Sequence, residues 1–375
     1  MKMGTCKFCG KVDKNISEVL QICRDCILNG EWDTIEPHIF KVHKQVRQLV
    51  ELPDKPPKAE RPNIKLKCNY CINECSLSEN DVSYCGLRNI QKKNSGELPF
   101  PSKSMGYIHG YLDPNPTNCC NAWFCPAGTP AGYPEFSDFK ELEYGTYNYA
   151  AFLYGCTFNC LFCQNASHKN FSKRNLVDVE SLATQIIENK KITCLCYFGG
   201  TPEAQLPFSI NLAEKILKKR KVRICWEWNG SGNQNLVEKC MDIAIKSGGN
   251  IKFDLKTFNE KLNLALCGVS NKRTLENFKF LAEKYFGTRG EDMPEMSACT
   301  LMVPGYTTYE EVELIAKFVS SINKEIPFSL LIFHGDYQMR DLGITPRKQA
   351  LKSFEIAKKY LKNVNLGNKF LLGFS

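Results

Sequence analysis

The chain has 375 residues, 43% of them hydrophobic, enough to bury a full core and leave room for one or two small modules. Its opening, MKMGTCKFCGK, has no apolar h-region or small-residue cleavage site, and no run of 18 apolar residues occurs. Neither secretion nor a membrane span is expected, and a cytoplasmic setting is. The formal charge of +9 leaves out metal-bound thiolates, and its cations are scattered over KVHKQVR, KILKKRKVR and IAKKYLKN, which read as solvated helix faces, so nucleic acid is not an expected partner.

The 20 cysteines exceed what packing alone requires, and 11 of them precede residue 126. In a reducing compartment, CxxC pairs read as metal sites. Residues 1–50 carry Cys6/Cys9 and Cys23/Cys26, two such pairs separated by 13 residues, followed by a helix-like stretch. This spacing predicts a zinc-ribbon-like or rubredoxin-like module holding one tetrahedral ion, zinc or iron. With so few apolar residues, the metal would supply the module's stability. Residues 51–65, with ELPDKPPKAERPN, read as a linker.

Residues 66–135 hold Cys68, Cys71, Cys75 and Cys85 in CNYCINECSLSENDVSYCGLRN, then Cys119, Cys120 and Cys125 in DPNPTNCCNAWFCPAG. Short strands and loops are expected here. The cysteines are dense enough for at least one auxiliary iron–sulfur cluster, with structural zinc as the alternative, and spacing does not fix which thiol joins which site.

From about 145 to 375 the pattern becomes apolar runs alternating with amphipathic stretches, the signature of βα units. Strands are predicted at YNYAAFLYG, ITCLCYFGG, VRICWEWNG, NIKFDL, EMSACTLMV and FSLLIF. Helices follow near 177–189, 209–219, 233–247, 272–286, 308–322 and 345–361. The expected fold is α/β, a partial (β/α)6 barrel with Cys-rich N-terminal metal-binding modules and its site at the C-terminal strand ends.

The loop after the first of these strands is YGCTFNCLFCQN. Cys156, Cys160 and Cys163 offer three thiolates for three corners of a [4Fe–4S] cluster and leave the fourth iron open. His168 reads as a surface loop residue. This Cys-x3-Cys-x2-Cys, with Phe162 before the last cysteine, resembles the radical S-adenosylmethionine (SAM) superfamily. That resemblance implies SAM on the open iron and a 5′-deoxyadenosyl radical from its reductive cleavage. GGTP after the second strand is similar to the superfamily's SAM-binding turn, which implies Gly199, Gly200 and Thr201 in cofactor binding.

WNG and DLK, with Glu227, Asn229, Asp254 and Lys256, resemble the TNG and DLK of glycyl-radical activating enzymes such as the pyruvate formate-lyase activating enzyme. In those enzymes an acidic residue and the DLK Asp hold a monovalent cation beside SAM. Here Glu227 and Trp228 stand where that family usually has Asp and Thr. His334, after the sixth strand, is placed near SAM by the same resemblance. The CxxCxxxC and CGxR of the Cys68 segment are similar to the AmmeMemoRadiSam group, and the likeness runs on to NVNLGN, but Cys119, Cys120 and Cys125 are additions.

The expected function is radical SAM chemistry: hydrogen abstraction from a protein, including glycyl-radical activation of a partner enzyme, or from a small molecule. The electron would come from a ferredoxin or flavodoxin. An iron–sulfur carrier or zinc-ribbon interaction protein with a degenerate barrel is the alternative from another class, and an RNA-modifying radical SAM enzyme a third. The intact Cys156, Cys160, Cys163 set and GGTP argue against the carrier. Cys194, Cys196, Cys225, Cys240, Cys267 and Cys299 read mostly as core residues.

Overall fold

A computed structural model describes residues 3–90, 101–117, 119–170, 175–290 and 292–373. The parts of the expected modules at 1–2, 91–100, 118, 171–174, 291 and 374–375 lie outside the described residues. In chain order the elements begin with β1 (Gly4–Thr5), β2 (Val12–Asp13), α1 (Arg24–Asn29) and α2 (Trp32–Gln48). Then come β3 (Leu66–Lys67), β4 (Ser76–Leu77), β5 (Met105–Pro114), β6 (Tyr147–Leu153), β7 (Leu176–Asp178) and α3 (Val179–Glu188). The βα alternation continues with β8 (Ile192–Phe198), α4 (Leu206–Leu217), β9 (Arg223–Trp228), α5 (Gln234–Ser247) and β10 (Ile251–Asp254). It closes with α6 (Glu260–Cys267), α7 (Lys272–Tyr285), β11 (Met296–Met302), α8 (Tyr309–Ile322), β12 (Phe328–Ile332), α9 (Arg347–Tyr360) and β13 (Val364–Gly367).

The main sheet has nine strands in the order β13-β12-β11-β10-β9-β8-β6-β5-β7. From β6 through β13 the neighbours are parallel, and β5 is antiparallel to both β6 and β7. All six predicted strands are present. The sheet gains β13 at one edge and β5 followed by β7 at the other, and β5 comes from the segment expected to hold only short strands and loops. Glycines at 106 and 110 hide it from propensity. At Gly110 a Cβ would lie 2.3 Å from the Tyr149 hydroxyl, so the missing side chain lets that ring cross the strand.

Period-2 alternation sorts each strand into two faces. On β9, Ile224, Trp226 and Trp228 join the core beneath the helices, while Cys225 and Glu227 point the other way and are half-buried. The helices begin and end on cues in the sequence. Asp178 Oδ1 accepts from the Glu180 and Ser181 amides at 3.0 Å to cap α3, and Gly248, at φ 75°, terminates α5 in the left-handed region.

The face away from the helices curls around residues 115–146, as a partial barrel requires. Asn121 of this plug bonds Asn250 beside β10 and Ser297 of β11, and the Cys120 carbonyl accepts from Ser329 of β12 at 2.9 Å. Lower down, buried Glu143 accepts from Arg223 Nη1 at 2.7 Å, from Ser137 at 2.6 Å and from Thr193 at 2.7 Å. Breaking a buried pair leaves one charge uncompensated. Glu143→Ala is therefore expected to cost about 3–5 kcal/mol in denaturant unfolding.

The N-terminal cysteine module shares one apolar core with the barrel loops, joining Leu20, Ile22 and Ile27 to Phe158, Phe162, Leu301 and Phe333. The Tyr306 hydroxyl accepts from the Ser17 amide at 3.0 Å and donates to the Ile22 carbonyl at 2.9 Å. Arg47 of α2 donates to the Pro53 carbonyl at 2.6 Å and lies 3.5 Å over the Tyr84 ring, tying the module to residues 51–90. Among the described residues, no helix is long and apolar enough to cross a membrane.

Candidate active site

The loops after β6, β8, β9 and β10 converge on a cavity of ≈ 240 Å³. Its walls include Cys156, Cys160 and Cys163, then Gly199 and Gly200, then Glu227, Asn229, Asp254 and Lys256. Thr201 and His334 are not among its walls. Thr201 sits behind the turn, its amide donating to the Gly155 carbonyl at 3.1 Å, and the His334 carbonyl accepts from Gln164 at 3.4 Å. The two glycines are required by the backbone. Gly200 has φ 25°, and a Cβ there would fall 2.1 Å from the Gly155 carbonyl oxygen, so only glycine lets the β8 turn meet the cysteine loop.

The three cavity thiols differ in acidity. Burial pushes Cys156 and Cys163 up, and the neighbouring thiols add to it. Cys160 is drawn down to about 7, first by its hydrogen bond with Cys267 and then, against burial, by Lys256 and Lys169. Three convergent thiols beside two buried ammonium groups fit an iron–sulfur cluster, whose iron replaces the thiol protons. His168 is buried, not on the surface. Its Nε2 lies 3.8 Å from Cys163 Sγ, and burial followed by the Lys169 charge holds it down to about 3, so the ring is neutral.

The carboxylates are joined by a residue that the motif comparison did not single out. Lys252 Nζ lies 2.7 Å from Glu227 and 3.2 Å from Asp254, and Lys256 Nζ lies 2.8 Å from Asp254. Burial works against the Asp254 charge, yet the two lysines hold its carboxyl down to about 2. Burial carries Glu227 up to about 7 despite Lys252.

Residues 151–319 match the model of the radical SAM superfamily. The chain carries a radical SAM domain. Over 219 residues, 58% of this chain and 79% of the relative, it is 27% identical to a Methanocaldococcus jannaschii protein whose name places it provisionally among glycyl-radical enzyme activating enzymes. It is 28% identical over 142 residues to the pyruvate formate-lyase 1-activating enzyme of Escherichia coli, covering 36% of this chain and 56% of that one. A crystal structure of a domain of the Bacteroides vulgatus pyruvate-formate lyase-activating enzyme aligns with 46% of this chain and 98% of its own, at 18% identity and a TM-score of 0.38.

The chain is thus an enzyme that uses SAM and a [4Fe–4S] cluster to generate a radical. Around the cavity, a polar network braces the loops. Asn229 Nδ2 donates to Thr157 Oγ1 at 2.8 Å, the Thr157 and Ser231 hydroxyls meet at 2.9 Å, and Asn73 donates to the Thr157 carbonyl at 2.8 Å. Glu203 completes it, accepting from the Ser231 amide at 3.1 Å and from the Thr201 hydroxyl. Motif matching passes over Glu203. The sequence cue is its place at the end of the GGTPE turn, two residues after Thr201, where a buried acid needs partners.

Burial raises Glu203 from its ordinary 4.5 to about 7. A carboxyl bound more tightly to its proton in the folded state stabilises the fold at low pH and loses that contribution as pH rises through the folded value. Between about pH 4.5 and 7 the loss is on the order of 3 kcal/mol. Glu203→Gln has no such charge, so its stability relative to the parent is expected to rise across that window in pH-dependent unfolding.

In the N-terminal module, Cys6 and Cys26 sulfurs are 3.7 Å apart, as are Cys9 and Cys23, and all four lie within 4.8 Å of one another. Metal–sulfur bonds of about 2.3 Å at tetrahedral angles place sulfurs about 3.8 Å apart, so these thiols fit one ion. Cys68, Cys71 and Cys75 form a second group around Cys85, each raised by burial and by the Cys85 thiol. This group docks beside the cavity, where the Ile72 amide donates to the Ser231 carbonyl at 2.9 Å. Cys119, Cys120 and Cys125 do not join it. They sit on the plug, with Cys119 Sγ 2.8 Å from Glu227 Oε1.

Proposed function

We propose that this radical SAM enzyme acts on a protein substrate, abstracting hydrogen from a backbone glycine, a reading that follows from its likeness to proteins named as activating enzymes. The observation that carries the site assignment is the single cavity shared by three thiols, the Gly199–Gly200 turn and the Asp254–Lys256 strand end. In this reading Cys156, Cys160 and Cys163 ligate the cluster, and Gly199, Gly200, Asn229, Asp254 and Lys256 bind SAM. Thr201 and His334 act from behind through the loops. When bound, the cluster and SAM would supply radical chemistry at this site, given one electron from a ferredoxin- or flavodoxin-type donor.

The chain's own residues orient and shield. The Lys252 ammonium lies between Glu227 and Asp254, where the family resemblance places a monovalent cation, and in this reading it supplies that positive charge. Cys6, Cys9, Cys23 and Cys26 hold zinc or iron in a module over residues 1–50. Residues 51–65 join it to the Cys68, Cys71, Cys75 and Cys85 group, which takes an auxiliary [4Fe–4S] cluster close to the barrel loops of 145–375. A reducing cytoplasm keeps such thiols available as ligands.

The test is isotope transfer. Anaerobic reconstituted enzyme, dithionite, SAM and a pyruvate formate-lyase-type partner labelled with [2-²H]glycine should yield deuterated 5′-deoxyadenosine and a glycyl radical signal in electron paramagnetic resonance. Release of unlabelled 5′-deoxyadenosine with no partner radical would overturn the glycine assignment.

A further inference from the structure

The inward faces of β8, β9 and β11 carry cysteines that the site above does not use. Cys194 and Cys196 are two residues apart on β8, so both leave the same face, and Cys196 pairs in register with Cys225 of β9. Leu195 and Trp226 occupy the opposite, helix-side core. Cys299 of β11 pairs with Asp254 and lines the SAM cavity together with Glu227.

Against these strands lies the plug, fixed by the Asn121 and Ser329 hydrogen bonds already described. It sets Cys119 Sγ 2.8 Å from Glu227 Oε1 of β9 and holds Cys120 against β12 through the Ser329 hydroxyl, with Cys125 on the same plug. Cys119, Cys120 and Glu227 present donor atoms within 4.8 Å of one another. Cys194 is engaged elsewhere, with its sulfur 3.8 Å from Asn115 Oδ1.

A single buried cysteine packs as a small hydrophobe, and a barrel interior filled for packing alone takes branched apolar residues. Here thiols from a plug and three strands share the inward side of the sheet, and Cys119 and Cys120 close to within 4.8 Å of a carboxylate. Thiolates in this number are the donor set of an iron–sulfur centre.

We propose that the barrel interior beneath the SAM cavity holds an iron–sulfur centre of its own. Its ligands are drawn from Cys119, Cys120 and Cys125 of the plug and Cys196, Cys225 and Cys299 of the strands, with Glu227 as the oxygen donor facing the cavity. It is separate from the Cys68–Cys85 group and does not depend on what the enzyme's radical attacks.

The experiment counts iron, acid-labile sulfide and zinc per chain in full-length protein purified anaerobically. Cys196→Ala/Cys225→Ala, which removes both sulfurs without adding bulk, is expected to lose about four irons and four sulfides relative to the parent while zinc is unchanged. Cys119→Ser, whose hydroxyl retains the bond to Glu227, supplies a second variant should the first fail to fold, with the same loss expected. Unchanged iron and sulfide in a folded variant would overturn the proposal. Failure of the radical SAM assignment would show separately, as no 5′-deoxyadenosine from the parent whatever its iron count.

Discussion

Cys163→Ala is expected to lower 5′-deoxyadenosine release by at least about a thousandfold, some 4 kcal/mol of barrier. Cys163 is one of three thiols on the cavity wall after β6, and two thiolates leave a second iron of the cluster without a protein ligand. The substitution spares the fold. Cys163 is half-buried in a loop, whereas the helix-side core contains none of the three cysteines. The signature is a loss of about four irons with zinc and circular dichroism unchanged, which separates a missing cluster from a misfolded chain.

Removing the metal proposed for Cys6, Cys9, Cys23 and Cys26, by chelation or by Cys9→Ser, is expected to unfold the proposed module over residues 1–50. Structural zinc contributes about 10–16 kcal/mol in zinc-finger peptides, comparable to the about 5–15 kcal/mol that holds a whole domain together. The module's own core is small and is completed by Phe158, Phe162, Leu301 and Phe333 of the barrel loops. Its loss therefore reaches the cysteine loop, where Asn159 bonds His43 of α2 at 2.9 Å. Limited proteolysis should open the module first, and SAM cleavage should fall with it. A chelated protein whose first 50 residues stay protected would contradict this.

The βα alternation made the barrel legible, because each predicted strand is an apolar run long enough to read alone. The edges were not. β5 carries two glycines and leaves Tyr111 and Leu112 exposed, and β13 has four residues, so both exist through pairing with β6 and β12 rather than through propensity. The cavity was legible for a similar reason: Cys156, Gly199, Asn229 and Asp254 follow successive strands, and strand ends meet at one barrel mouth.

What motif matching passed over was the interior, although the period-2 rule holds the signal. Cys194-x-Cys196, Cys225-x-Glu227 and Lys252-x-Asp254 each place polar or thiol side chains on one face, while Leu195, Trp226 and Phe253 fill the other. Taken singly, those cysteines look like packing. Their grouping depends on the plug, whose path under the strands no local pattern encodes.

The most direct measurement of the central claim is 5′-deoxyadenosine formation by the anaerobically reconstituted chain, reduced with dithionite and given SAM. With its full iron and sulfide complement the enzyme should convert SAM to methionine and 5′-deoxyadenosine. A protein that carries those clusters and releases neither would contradict the assignment of Cys156, Cys160 and Cys163 as a radical SAM site.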